Sequence, residues 1–284
     1  MKTRNLVLFL VMAVLWGSSW SITKKGLELV PPLNFASQQF LVSTLVLMPV
    51  VMASRDRLPK DIRVLGRVVI FSLLNALSIA MMNLGLMHES SGVGAVLVFT
   101  QPLMVFVISI VFLHEKARAL RLLGVLIGLA GTTIISLKGG AGLVLPFSHS
   151  TLLLILSAFA WALASVYYKK YLYNLDPIGT TALQFAVGFT VLFALSMASE
   201  GFVFPLVSEY LGILLFVSLG SSILGTVIWL YLLGRENATI LSSYGFVVPI
   251  IALIFGWLLL GETITARYYL GIFLIISGIY LVQK

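Results

Sequence analysis

Residues 13–32 read AVLWGSSWSITKKGLELVPP, and residues 158–177 read AFAWALASVYYKKYLYNLDP. Laid over one another at an offset of 145, Trp16 falls on Trp161, Lys24 and Lys25 on Lys169 and Lys170, and Pro32 on Pro177. Gln39 and Phe40 continue the register onto Gln184 and Phe185. Further along, the offset becomes 147, so that Glu89 meets Glu236, Pro102 meets Pro249, Glu115 meets Glu262, Gly124 meets Gly271 and Gly131 meets Gly278. An insertion in the second half accounts for the change. Polar and conformationally special residues recurring in this order mark a duplicated chain, with halves at residues 1–140 and 141–284.

What is duplicated is apolar. Of 284 residues, 60% are hydrophobic and only 10% charged, and the mean hydropathy is +1.09. A soluble domain carries about 25% charged residues, so a water-soluble fold of this length has nowhere to bury this much apolar surface. A helix crosses the roughly 30 Å hydrocarbon core with about 20 apolar residues. Charge-free runs give ten candidate spans, near 5–23, 33–53, 68–87, 92–113, 122–137, 150–168, 177–199, 210–234, 238–261 and 268–283. The expected fold is an all-α integral membrane protein in which ten transmembrane helices form two five-helix repeats. The opening MKTRNLVLFLVMAVLWGSSWS has the outline of a secretory signal, but its likeness recurs in mid-chain, where no such signal operates.

Five spans per half is an odd number, so the second copy enters the membrane upside down. With the N-terminus in the cytoplasm, fourteen of the eighteen Lys and Arg lie on the cytoplasmic side, among them Arg55, Arg57, Lys60, Arg63 and Arg67. That bias follows the positive-inside rule, and it places both termini in the cytoplasm of a multi-pass cell-membrane protein. The +8 formal charge is accounted for in the same way, without a nucleic-acid partner. Inverted repeats are the architecture of many secondary transporters, in which a site at the repeat interface opens alternately to each side.

The first-span WGSSW, the sixth-span AWALASVYYKK and the paired endings PLMVFVISIVFLHE (102–115) and PIIALIFGWLLLGE (249–262) resemble the EamA-type branch of the drug/metabolite transporter superfamily. The resemblance covers nearly the whole chain. It implies a monomeric ten-helix fold, with a homodimer as the alternative, and export or exchange of amino acids or related metabolites. Transport of other metabolites or drugs, a channel and an intramembrane enzyme are the competing functions.

Cysteine is absent, which removes disulfides and thiol nucleophiles. No Asp, Glu, Lys or Arg sits near the centre of any span. With neither a deep acid–base pair nor a metal set, no cofactor is implied and catalysis is not expected. The candidate cavity residues are aromatic and neutral polar, arranged at spacings of three or four on helical faces. Trp16, Ser19 and Trp20, with Thr23, share a face of the first span, and Trp161, Ser165 and Tyr168 share one of the sixth. Asn75, Ser78 and Met82 line up in the third span, and the 147 offset carries them to Ser222, Gly225 and Trp229 in the eighth. Gln39, Gln184, Gln101 and Tyr244 complete the set. Aromatic walls with a few polar groups suit a small amphipathic molecule.

Pro102 and Pro249 lie at matching points in the fourth and ninth spans and read as kinks, either gating pivots or fixed packing bends. Glu115 and Glu262 close those spans and read as structural carboxylates, tying helix ends through backbone N–H groups. Gly124, Gly128 and Gly131 form a small-residue stripe for close helix approach. Lys24 and Lys25, on the outer side, are candidates for attracting a substrate carboxylate.

Overall fold

The computed structural model describes residues 3–89, 94, 97–116, 118–136, 148–260 and 266–284, and the regular structure among them is entirely helical. Its helices are α1 (Thr3–Leu29), α2 (Pro32–Ala53), α3 (Ile62–His88), α4 (Gln101–Leu113), α5 (Ala119–Ser136), α6 (His149–Tyr171), α7 (Pro177–Ser199), α8 (Ser208–Arg235), α9 (Ala238–Tyr244), α10 (Val247–Leu260) and α11 (Ala266–Val282). Six of them, α1, α2, α3, α6, α7 and α8, are long and apolar enough to cross a bilayer, and four further apolar stretches are shorter.

Helix starts are set by local chemistry. Asp61, Ser148, Asp176 and Asn237 each accept a hydrogen bond from a backbone N–H of the following first turn, at 2.8, 3.1, 2.8 and 3.0 Å, satisfying donors that a helix leaves unpaired. Pro32 and Pro177 occupy the first helical position, where a missing N–H costs nothing. α4 ends at His114, whose φ of 54° turns the chain and lets its N–H reach Ser109 O.

The fourth and ninth spans are not continuous helices kinked at proline. A turn at Phe99 and Thr100 precedes α4, and a turn at Gly245 and Phe246 separates α9 from α10. Pro102 is the second residue of α4 and Pro249 the third of α10. Each proline therefore starts a helix where the first N–H groups lack partners in any case, and the break lies on its N-terminal side.

α8 departs from regular geometry over Phe216–Gly225, where ten residues wind as a π-helix. The side chains report the wider turn. Ser222 Oγ donates to Val217 O, five residues back, at 3.1 Å, whereas Ser72 in α3 donates four residues back to Val68 O at 2.7 Å.

Residues paired by the sequence offsets meet in space. Phe40 packs edge-on against Phe185 with ring centroids 4.8 Å apart, joining α2 to α7. Between α5 and α11 the paired glycines meet crosswise, each against the other pair's partner: a Cβ on Gly124 would lie 2.6 Å from Gly278 O, and one on Gly131 would lie 2.6 Å from Gly271 O. The small-residue stripe is thus used inside the molecule, where no larger side chain fits. The buried core runs through the middle of the bundle, with Phe9, Met12, Phe71, Tyr168, Leu230 and Leu233 in one cluster. Apolar side chains such as Val7, Leu10, Val14, Phe159, Phe273 and Ile276 cover the outside. An apolar exterior with neutral polar groups inside is the pattern a lipid solvent requires.

Candidate functional site

The centre of the molecule is built on tryptophan. Trp16 of α1 stands edge-on to Trp161 of α6 at 6.3 Å, Trp229 of α8 lies 5.6 Å from Trp16, and Trp161 and Trp229 are 4.7 Å apart. Gly225, one turn before Trp229, makes room for the first of them, since a Cβ there would come within 2.4 Å of Trp16 Nε1. That indole N–H donates to Ser221 O at 3.1 Å, a carbonyl within the π-helical segment. Trp20 packs on Phe99 at 6.4 Å.

These rings wall a cavity of about 160 Å³. Trp16, Ser19 and Trp20 reach it from α1, Gln39 from α2, Asn75, Ser78 and Met82 from α3, and Gln101 from the start of α4. Trp161, Gln184, Ser222 and Trp229 reach it from α6, α7 and α8. Thr23, Phe40, Phe99, Ser157, Phe185, Ser221 and Thr226 border it as well. Spacing alone signals Thr23, a turn beyond Trp20; Phe40 and Phe185 neighbour the paired glutamines. Ser157, four residues before Trp161, and Thr226, between Ser222 and Trp229, sit at the same helical spacing and could have been found by it.

Three sequence candidates lie elsewhere. Ser165 and Tyr168 continue the Trp161 face of α6 past the end of the cavity, and the Tyr168 ring is fully buried 5.4 Å from Phe71. Tyr244 packs on Phe9 at 5.5 Å. Both broken spans touch the cavity at their breaks, through Phe99 and Gln101 in one and Gly245 in the other. Irregular backbone at membrane depth is tolerated where protein or a cavity takes up its polar groups.

The hydrogen-bonding state of the lining is uneven. Gln39 Nε2 donates to Ser222 Oγ at 2.6 Å, and Asn75 Nδ2 donates to Phe71 O at 2.9 Å. Ser78 Oγ donates to Ser157 O at 2.9 Å, and Ser157 Oγ returns a bond to Ser78 O at 2.8 Å. Gln184 Oε1 is buried without a hydrogen-bond partner. Among the described lining residues there is no Asp, Glu, Lys, Arg or His.

Charges sit instead at the helix ends. Lys24 Nζ donates to Leu86 O, Met87 O and Glu89 O at 2.6, 3.2 and 3.1 Å. Its counterpart Lys169 donates to Gly234 O and Glu236 O at 3.3 and 3.0 Å. Each ammonium thus covers the carbonyl-rich end of α3 or α8, where the helix dipole is negative. Lys24 is engaged by the protein rather than held out toward a carboxylate. Ser148 Oγ donates to Glu89 Oε1 at 3.1 Å, and Asn5 Nδ2 donates to Glu236 Oε1 at 2.7 Å. Glu115 accepts from Ala238 N at 3.3 Å and from Thr239 Oγ1 at 2.7 Å. It ties the end of α4 to the start of α9 rather than to the next helix. Glu262 lies outside the described residues.

A lipid-facing helical bundle that encloses an uncharged, tryptophan-walled cavity has the build of a multi-pass membrane transport protein. The chain belongs to the EamA-like transporter family, whose model matches residues 3–137 and again residues 149–283. It is 30% identical to the uncharacterized transporter YvbV of Bacillus subtilis (strain 168), covering 99% of this chain and 92% of that one. It is 29% identical to the uncharacterized inner membrane transporter YedA of Escherichia coli (strain K12), covering 95% and 87%. One solved crystal structure superposes with a TM-score of 0.82 over 99% of this chain and 96% of that chain at 17% identity, a likeness of fold.

Proposed function

We infer that the protein is a secondary carrier, an exchanger or facilitator, that exports small organic metabolites, amino acids foremost, by alternating access. In this reading ten spans form two inverted five-helix repeats, residues 1–140 and 141–284, with both termini in the cytoplasm. The observation that carries it is the central cavity, at which Trp16 and its counterpart Trp161 meet and to which Gln39 and its counterpart Gln184 both contribute. A cavity bordered by matched residues of both halves is what a rocking-repeat carrier needs at its midpoint. Matched lysines at the ends of α3 and α8 and reciprocal glycine contacts between α5 and α11 support the same symmetry.

The volume sets the cargo's scale. An engineered cavity of about 150 Å³ holds benzene, so this conformation accommodates a compact molecule. The uncharged lining offers no general acid or base, which favours carriage over chemistry. Pro102 and Pro249, at the breaks beside the cavity, are the proposed pivots, and the twelve lining candidates are the proposed binding contacts.

Counterflow tests this reading. Proteoliposomes are loaded with unlabelled amino acids, and uptake of trace labelled aromatic, branched or small hydroxylated ones is followed without an ion gradient. Saturable accumulation is expected. Flux without saturation or counterflow would identify a channel, and no flux of any amino acid by folded protein would remove them as cargo.

A further inference from the structure

The cavity's hydrogen-bonding groups are unequally available. Several of its donors are already engaged: the Trp16 indole by Ser221 O, one N–H of the Gln39 amide by Ser222, one of the Asn75 amide by Phe71 O, and the Ser78 and Ser157 hydroxyls by each other's carbonyls. The amide oxygens are a different matter. Gln39 and Asn75 each commit one amide N–H to the protein and keep the other N–H and the oxygen. The oxygen of Gln184, in a residue 4% exposed, has no partner at all. A buried acceptor left unpaired is unfavourable, and such a group in a cavity calls for a water or a ligand.

Charge points the same way. The remaining donors, among them the indoles of Trp161 and Trp229, are neutral, and the nearest lysine in sequence to the wall, Lys24, is held by three backbone carbonyls. A carboxylate entering here would be desolvated without a counter-charge. An ammonium would find amide oxygens and three indole faces, which attract cations through the ring quadrupole. The helix ends that meet at Gly245, the last turn of α9 and the first of α10, bring opposite partial charges that offset one another.

We propose that the cavity recognises its cargo through an amine or ammonium head, received by Gln184 Oε1 and supported by the oxygens of Gln39 and Asn75 over the tryptophan walls, and that a carboxylate on the cargo is tolerated rather than recognised. The substrate class is therefore compact organic amines, with amino acids admitted as members that carry an amino group. This inference rests on the transporter reading of the same cavity and narrows it.

The test measures binding separately from transport. Four of the chain's five tryptophans border the cavity, so ligand titrations of the full-length protein in nanodiscs can be read by tryptophan fluorescence. The probes share one branched body: isobutylamine, L-valinamide, L-valine and isovalerate. The two amines are expected to bind at least as tightly as valine, and isovalerate about tenfold or more weaker. Gln184→Met should weaken both amines by roughly fivefold while leaving isovalerate unchanged, and Gln184→Glu should strengthen them by about tenfold. Isovalerate binding as well as the amines, amines indifferent to both substitutions, or no binding by either amine would overturn the proposal. The expected order without counterflow would remove the carrier reading alone, and counterflow with the order reversed would remove the amine head alone.

Discussion

The helices α3 and α8 occupy equivalent places in the two halves, yet they are built differently. α3 is a regular α-helix locked to α6 by a reciprocal pair of buried bonds between Ser78 and Ser157. In α8 the residue equivalent to Ser78 is Gly225, the helix is widened into a π-segment, and the contact with α1 is an indole lying over a glycine. One interface is pinned by a reciprocal pair of serine bonds, whereas the other sets a close glycine contact beside the Trp16 indole bond to Ser221 O and the Ser221 hydroxyl bond to Ser19. Under the proposed duplication, each helix keeps its place while its interface is free to specialise. The α1–α8 contact, whose closest approach at Gly225 carries no reciprocal side-chain bond, is proposed as the interface that slides in a transport cycle.

The largest effect is expected at Gly225. Gly225→Val drives side-chain atoms into Trp16, an overpacking cost of about 1–3 kcal/mol, and should reduce counterflow by roughly tenfold to a hundredfold. The control is Ser78→Val, which breaks the pinned interface; if it harmed transport more than Gly225→Val, the comparison would be inverted. Next come the lysines. Removing Lys24 or Lys169 exposes the negative end of α3 or α8 and costs up to about 1 kcal/mol. The proposed inverted topology puts the two lysines on opposite faces, so Lys24→Met and Lys169→Met should shift labelling of a single cysteine at position 19 in opposite directions; equal shifts would show that they do not oppose one another. The chain's lack of cysteine makes that label unambiguous. A smaller effect belongs to Ser157→Ala, which takes one bond from the pinned pair and should lower stability by roughly 1 kcal/mol, read as a drop in melting temperature with binding retained. The smallest is Ser222→Ala. It removes the acceptor of the Gln39 amide and should change amine affinity by no more than about threefold, since the freed amide can find water in the cavity.

The legible part of this molecule was whatever recurs or repeats with the helical period. The register that brings Trp16 to Trp161 and Phe40 to Phe185 was readable because contact partners were also sequence partners. Helical spacing and the sequence offset point to nine of the twelve candidates that border the cavity, and the three glutamines stand out by polarity; the spacing also runs on to Ser165 and Tyr168, because a helix face has no end in sequence and a cavity does. Tyr244, at the end of α9 just before the break, packs on Phe9 rather than bordering the cavity, a contact no spacing signals. The breaks were visible only as prolines, which read as interior kinks until the turns before them were seen. The π-segment had no signal, as Ser222 and Gly225 suit either winding. Glu115 could be recognised as structural, but its partners on α9 are more than a hundred residues away.

The neutral lining of the cavity also has an electrical meaning. Under the proposed cycle, the empty carrier returns without moving any side-chain charge of its cavity through the membrane field, so the current per turnover equals the charge on the cargo. A zwitterion would cross silently. A singly charged amine would feel about 2.3 kcal/mol for every 100 mV, and an inside-negative cell would have to load it against that voltage or exchange it for another of like charge.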